Sequence, residues 1–150
     1  MKKIMTAILL LAMLNIACAQ SVDGLFCKFC REKGAEYVSS SPFSMKIANF
    51  CIDKDNEKML MIKRISSVKI LNLSDCKKDV LKRFGQDVSK INLNGYEELM
   101  SMNDGGKKVS VRIKLKKNVI RELCVMTADE TDGILMHFKG EIKKKILTNL

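Results

Sequence analysis

The feature that most constrains the fold is a hairpin pattern in the last third of the chain. Residues 103–106 read Asn-Asp-Gly-Gly, and Asp-Gly accepts the positive φ angles that a tight β-turn needs. From Val109 to Leu115, apolar residues then alternate with polar ones, most of them basic. A period of two is typical of a strand with one side buried. We predict that the apolar side faces inward and that the basic side lies in water.

The rest of the chain supplies further strands and amphipathic helices. Apolar residues at helical spacing predict a helix over Val22–Phe29 and another that begins after a cap at Ser74 or Asp75. Further helices are expected to begin at Ser41-Pro42 and to occupy Met59–Ile65 and Glu141–Leu150. Strands are expected at 35–39, 68–73, 96–102, 119–127 and 134–138, with a loop at Asp53–Lys58. Hairpin connections enforce antiparallel pairing. The predicted class is therefore α+β, with short helices packed on one side of a largely antiparallel sheet that ends in a four-strand meander.

Residues 1–19 have the layout of a signal peptide. Two lysines precede an apolar run from Ile4 to Ile16, which is too short to favour a membrane anchor. Small residues at Ala17 and Ala19 suit a signal peptidase, which would leave Gln20 as the first residue. We therefore predict export to the periplasm or the medium.

Two consequences follow from removal of this peptide. A single α+β domain would occupy residues 20–150, with no transmembrane span. The alternative is that Cys18 is lipidated, which would anchor the protein to the envelope.

The cysteines raise the question of redox chemistry. Cys27 and Cys30 form a Cys-x-x-Cys pair with Lys28 between them, and a nearby cation lowers the pKa of a thiol. Such enzymes place the pair where a strand gives way to a helix, whereas here the predicted helix runs through Cys27. The pair is thus interpreted as two thiols or a structural disulfide, with thiol–disulfide exchange as the alternative. A zinc site would also need two ligands from Cys51, Cys76, Cys124 or His137, and no second paired motif is present.

Few other residues of the sequence could support catalysis. The chain has one histidine, His137, which we expect to be an exposed strand residue rather than a ligand or a general base. Glu97 and Glu98 are adjacent on a strand and therefore point to opposite faces. We predict no catalytic residues, no metal and no cofactor.

The best candidate for a binding surface is the basic side of the alternating strand. It comprises Lys108, Arg112, Lys114 and Lys116. With 27 Lys and Arg against 17 Asp and Glu, the chain carries a net charge of +10. Such a face attracts anionic groups, so the expected partner is a protein or an anionic component of the envelope. Nucleic acid is disfavoured, because aromatic residues are not interleaved with the cations.

The whole chain resembles domain-of-unknown-function family 4252, a family of small exported bacterial proteins. The resemblance rests on the Ala-x-Ala-Gln signal ending and on the segments at 31–38, 41–43, 67–73, 92–96 and 119–123. It implies an exported α+β domain and supplies no catalytic residues. Because such proteins are associated with neighbouring genes for extracytoplasmic-function sigma factors, it also implies a role in envelope signalling. The leading hypothesis is therefore a non-enzymatic binding or signalling-associated envelope protein, and the alternative is a periplasmic thiol–disulfide oxidoreductase that uses Cys27 and Cys30.

Overall fold

A computed structural model describes residues 21–40 and 64–142 of the 150-residue chain. Over these residues it contains two helices and six strands. The helices are α1 (Val22–Phe29) and α2 (Lys78–Lys90). The strands are β1 (Glu36–Ser40), β2 (Ile65–Asn72), β3 (Glu97–Asp104), β4 (Lys107–Lys116), β5 (Val119–Ala128) and β6 (Gly133–Ile142).

Several predicted elements lie outside the described residues. They are the signal peptide with Cys18, the helix at Ser41-Pro42, the loop at Asp53–Lys58 and the residues from 143 onward. Two predicted helix ends fall within the described part and are wrong. Ile65 begins β2, and Glu141 belongs to β6.

The six strands form one antiparallel sheet in the order β1-β2-β6-β5-β4-β3. Every neighbouring pair is antiparallel. Strands β3 to β6 are consecutive neighbours, so the predicted four-strand meander is confirmed. The sheet together with the two helices confirms the α+β class.

Two-residue turns fix the register of the meander. Gly105 and Gly106, with φ angles of 54° and 88°, connect β3 to β4 as the sequence predicts. Lys117 and Asn118 connect β4 to β5 with φ angles of 51° and 60°. Positive φ at both central residues gives a turn whose twist matches that of the flanking strands.

The start of α2 differs from the prediction. Its N-cap is Lys77, whose side chain makes no capping hydrogen bond, rather than Ser74 or Asp75. The Ser74 hydroxyl is instead engaged with the side chains of Asn72 and Asp132, so it ties the end of β2 to the β5–β6 loop.

The hydrophobic core lies between the two helices and one face of the sheet. Phe29 of α1 and Phe84 of α2 are fully buried and meet edge to face, with ring centroids 5.3 Å apart. A β-carbon added at Gly133 would lie 3.1 Å from Phe84, so the absence of a side chain at this position lets α2 approach β6. On the sheet, Leu71, Leu135 and Met126 are neighbours across β2, β6 and β5 and are fully buried.

The prediction that the basic side of β4 lies in water is wrong, whereas Ile113 on the apolar side is buried as predicted. Lys108 and Arg112 are paired across the sheet with Ala128 and Cys124, which belong to the hydrophobic core. The basic side of β4 therefore shares the face on which the helices pack. The Lys108 ammonium donates to the hydroxyl of Ser89 on α2, 2.5 Å away. A long stem lets a lysine stay on this face while its charged end reaches the periphery.

Candidate functional site

Strands β5 and β6 place two ionisable side chains side by side on the helix-bearing face. Glu122 and His137 share the parity of the core residues of their strands, and Cys124 is the cross-strand partner of His137. His137 Nε2 lies 2.8 Å from Glu122 Oε2. Only 2% of His137 is exposed, so the expectation of an exposed strand residue is wrong.

Tyr96 completes a cluster of three hydrogen-bonded side chains. It precedes β3, and its hydroxyl donates to Glu122 Oε2 and lies 3.2 Å from His137 Nε2. Since Nε2 faces a carboxylate oxygen, it carries the hydrogen in the neutral imidazole and donates to Glu122. The Tyr96–Glu122–His137 cluster is thus a carboxylate held by two donors.

The electrostatics of the cluster follow from burial and from these bonds. Burial lowers the pKa of His137 below its ordinary value of 6.5, and the nearby Glu122 carboxylate opposes this only partly. Burial and the hydrogen bond to Glu122 raise the pKa of Tyr96. Partial burial would raise the pKa of Glu122, but the bonds from Tyr96 and His137 and the charge of Lys114 outweigh it and lower this pKa. At neutral pH the cluster therefore contains a carboxylate, a neutral imidazole and a neutral phenol.

A cavity of about 340 Å³ opens beside the cluster. The residues around it come from the start of α1, from the loop between α2 and β3, and from strands β4 to β6. They are Ser21, Val22, Asp23, Leu93, Asn94, Tyr96, Lys114, Glu122, His137 and Lys139. This volume is within the range of small-molecule sites, near its lower end. The cavity therefore has room for one small molecule.

Two lysines at the cavity stand close to carboxylates. Lys114 Nζ is 3.5 Å from Glu122 Oε1 and lies over the Tyr96 ring, 5.6 Å from its centroid. Lys139 Nζ is 4.0 Å from Asp23 Oδ2. The cavity thus offers both cationic donors and anionic acceptors.

Two features of the cluster bear on its chemistry. His137 Nδ1 is buried and has no hydrogen-bond partner in the described part of the chain. It is therefore a lone pair shielded from solvent rather than a base presented to the cavity. Burial raises the pKa of the neighbouring Cys124 to about 12, so this thiol stays protonated and is a poor nucleophile.

The four residues of the predicted basic surface are not equivalent. Arg112 is mostly buried, with 20% of its side chain exposed, and contacts Glu98 at 3.7 Å. Lys108 bonds to α2, Lys114 lines the cavity, and Lys116 is exposed. Only Lys114 belongs to the cavity, and binding by the four residues together stays a prediction.

Cys27 and Cys30 lie at the C-terminal half and end of α1. Cys27 is exposed, Cys30 is the C-cap, and the two thiols are not bonded to each other. The Cys30 thiol is 3.9 Å from the Cys27 carbonyl oxygen. The pair is therefore inside and at the end of a helix, as the sequence predicts, and away from the cavity lining.

The sequence analysis missed the cluster. Tyr96 and His137 are 41 residues apart, and Glu122 is 15 residues from His137. No motif joins them. The available signal was that polar side chains recur at core parity on β5 and β6, which required knowing which side of each strand faces the helices.

These features define a small α+β domain, and the family comparison identifies it further. The chain belongs to DUF4252, a domain of unknown function, whose family model matches residues 32–150. The predicted family resemblance is thereby confirmed. The match covers Tyr96, Glu122 and His137 and begins after α1. No curated protein and no solved structure matches the chain. Neither described helix is long and apolar enough to cross a membrane.

Proposed function

We propose that the protein is an exported, non-enzymatic binding module that holds a small polar ligand in the cavity beside the Tyr96–Glu122–His137 cluster. The observation that carries this proposal is the partly buried carboxylate of Glu122, whose Oε2 accepts from both Tyr96 and His137 at the edge of a cavity. Desolvating a charged side chain is costly, and two donors offset part of that cost. A prearranged polar group beside an opening is a common feature of ligand sites.

The chemistry of the lining favours binding over catalysis. Ser21 Oγ accepts from the Gly24 amide 3.0 Å away, and the Tyr96 hydroxyl is committed to Glu122, so neither is an activated nucleophile. The imidazole of His137 is neutral, buried and engaged through Nε2. We accordingly place no covalent step in the cavity.

The proposed export rests on the signal-like residues 1–19. Intact-mass analysis of protein from native envelopes tests it, with an expected start at Gln20. Diacylglycerol on Cys18 would support envelope anchoring instead, and a start at Met1 would contradict export.

The binding function is tested with ¹⁵N-labelled protein and a panel of acidic, basic, zwitterionic and neutral compounds of monosaccharide size. We expect at least one compound to shift the amide resonances of Asn94, Tyr96 and Glu122 in the wild type. The shifts should be reduced in Asn94→Trp, which adds bulk at an exposed position of the lining. Asn92→Trp, at an exposed position of the same loop outside the lining, is the matched control.

Three results would contradict the binding proposal. One is that no compound perturbs the cavity, and another is that Asn92→Trp and Asn94→Trp reduce the shifts equally. The third is reductase activity towards a disulfide substrate that Cys27→Ser abolishes, which would favour the oxidoreductase alternative.

A further inference from the structure

The two ammonium groups at the cavity keep hydrogen-bonding capacity. Lys69 donates directly to Asp23 Oδ1 at 2.8 Å. Lys114 and Lys139, at 3.5 and 4.0 Å from their nearest carboxylate oxygens, make no hydrogen bond within the described residues. Each ammonium has three donors. Within the described residues, both lysines thus keep donors available for a ligand in the cavity.

The carboxylates of the same cavity need donors in return. Within the described residues, Glu122 Oε2 accepts from Tyr96 and His137, whereas Oε1 accepts no hydrogen bond and lies 3.5 Å from Lys114 Nζ. In the same part of the chain, Asp23 accepts from Lys69 through Oδ1, whereas its Oδ2 accepts no hydrogen bond and lies 4.0 Å from Lys139 Nζ. Carboxylate oxygens accept and do not donate, so a matching ligand must bring hydroxyl or amino hydrogens.

The overall charge decides between an acidic and a basic ligand. The chain carries +10, or +8 when it starts at Gln20 without Lys2 and Lys3, and the field of a basic protein raises the local concentration of anions. The cavity volume of about 340 Å³ suits a single ring rather than an extended chain. Val22 and Leu93 add apolar surface against which the carbon face of such a ring can pack.

We infer that the cavity recognises a sugar acid, with its carboxylate at Lys114 and Lys139 and its hydroxyl groups donating to Asp23 and Glu122. This inference rests on the proposed binding function and adds the class of ligand. The same chemistry occurs in a free uronic acid and at the end of an acidic polysaccharide. A neutral sugar lacks the anion for the two lysines, and a simple carboxylic acid lacks donors for the two carboxylates.

The inference is tested by titrating ¹⁵N-labelled wild-type protein with four probes in parallel. They are glucuronate, galacturonate, glucose and acetate. A fifth titration, with trigalacturonate, distinguishes the end of a polysaccharide chain from a free monosaccharide. We expect a uronate to shift the cavity resonances with an affinity at least about tenfold above glucose and acetate, the equivalent of one charge-assisted hydrogen bond. Tighter binding of trigalacturonate than of galacturonate would assign the polysaccharide as the source, and equal or weaker binding would assign the free sugar.

Matched lysine variants locate the binding. Lys139→Gln should weaken uronate binding about tenfold, because it removes one charge-assisted contact. Lys82→Gln, at an exposed lysine of α2 outside the cavity and outside the predicted basic surface, should leave it unchanged. Both positions are solvent-accessible, and retained amide spectra will establish that each variant is folded.

The outcomes separate this inference from the binding proposal. Equal affinity for glucose and uronates, or equal effects of Lys139→Gln and Lys82→Gln, would overturn the sugar-acid assignment. If only other compounds of the panel shift the cavity resonances, the sugar-acid assignment is overturned and the binding proposal is retained. Absence of cavity shifts with every compound would contradict both.

Discussion

The helix-bearing face of the sheet changes character along its strands. At one end, Met126 and Leu135 are fully buried beneath the helices, beside the edge-to-face pair of Phe29 and Phe84. A few residues further along the same strands, Glu122 and His137 occupy positions of the same parity and form a hydrogen-bonded cluster beside a cavity. One face of one sheet thus serves both as a core and as a polar site. The difference lies in the side chains and in what covers them, because the strand pairing continues through both ends.

The core end should respond most strongly to truncation. Phe84 is fully buried and meets Phe29 edge to face, and its ring would lie 3.1 Å from a β-carbon added at Gly133. We expect Phe84→Ala to lower the free energy of unfolding by about 3–5 kcal/mol, as large-to-small changes in packed cores do. Urea denaturation followed by circular dichroism measures it.

An exposed residue of similar apolar character provides the comparison. Met102 of β3 is 47% exposed, so Met102→Ala should cost less than about 1 kcal/mol. Similar losses in Phe84→Ala and Met102→Ala would mean that the Phe29–Phe84 contact is not the centre of the core.

Local sequence patterns predicted many of the strands and turns that carry these two ends. Gly105 and Gly106 lie in the predicted turn because the turn is decided by neighbouring residues. The alternation from Val109 to Leu115 revealed a strand with two different sides, and it is confirmed as β4. The basic side was wrongly placed in water, because a period of two shows that the two sides of a strand differ and does not show which side the helices cover.

The cluster lay beyond the sequence for a related reason. His137 lies on β6, Glu122 on the neighbouring β5, and Tyr96 in the loop before β3, so the three side chains meet only in the assembled fold. A lone histidine on a strand carries no signal for that pairing. The neutral state of His137 depends on burial, which is a property of the assembled sheet and helices.

Acid should lower the free energy of unfolding through the ionisable residues at the polar end of the face rather than through the core end. An unfolded histidine takes up a proton below pH 6.5, whereas folded His137 resists protonation because its pKa is lower. The unfolded state then binds more protons, so the free energy of unfolding falls as the pH drops from 6.5 through the folded pKa. Glu122 adds a loss at lower pH, because its folded pKa lies below 4.5 and its contribution disappears as the pH falls through that value.

The single histidine makes this measurement direct. One imidazole ¹H–¹³C resonance reports the folded pKa, which we expect below 6.5, and urea unfolding at several pH values gives the stability slope. His137→Gln should flatten the slope in the histidine window and leave the part of the Glu122 contribution that comes from Tyr96 and Lys114. A measured pKa at or above 6.5 would contradict a buried, neutral imidazole.

The smallest changes in the free energy of unfolding should come from substitutions on the basic side of β4. They test whether this side faces the helices or the solvent. Arg112 has one-fifth of its side chain exposed and contacts Glu98 at 3.7 Å and the Ser110 hydroxyl at 3.3 Å. Lys116 is exposed at the end of the same strand. We expect Arg112→Ala to cost about 1 kcal/mol through lost packing of its stem, and Lys116→Ala to stay within about 0.5 kcal/mol.

Urea unfolding at low and high salt separates the contributions, since screening weakens the contact with Glu98 and leaves the packing. Equal and negligible losses at both positions would mean that this side of β4 behaves as free surface, and the distinction between its inner and outer residues would fail.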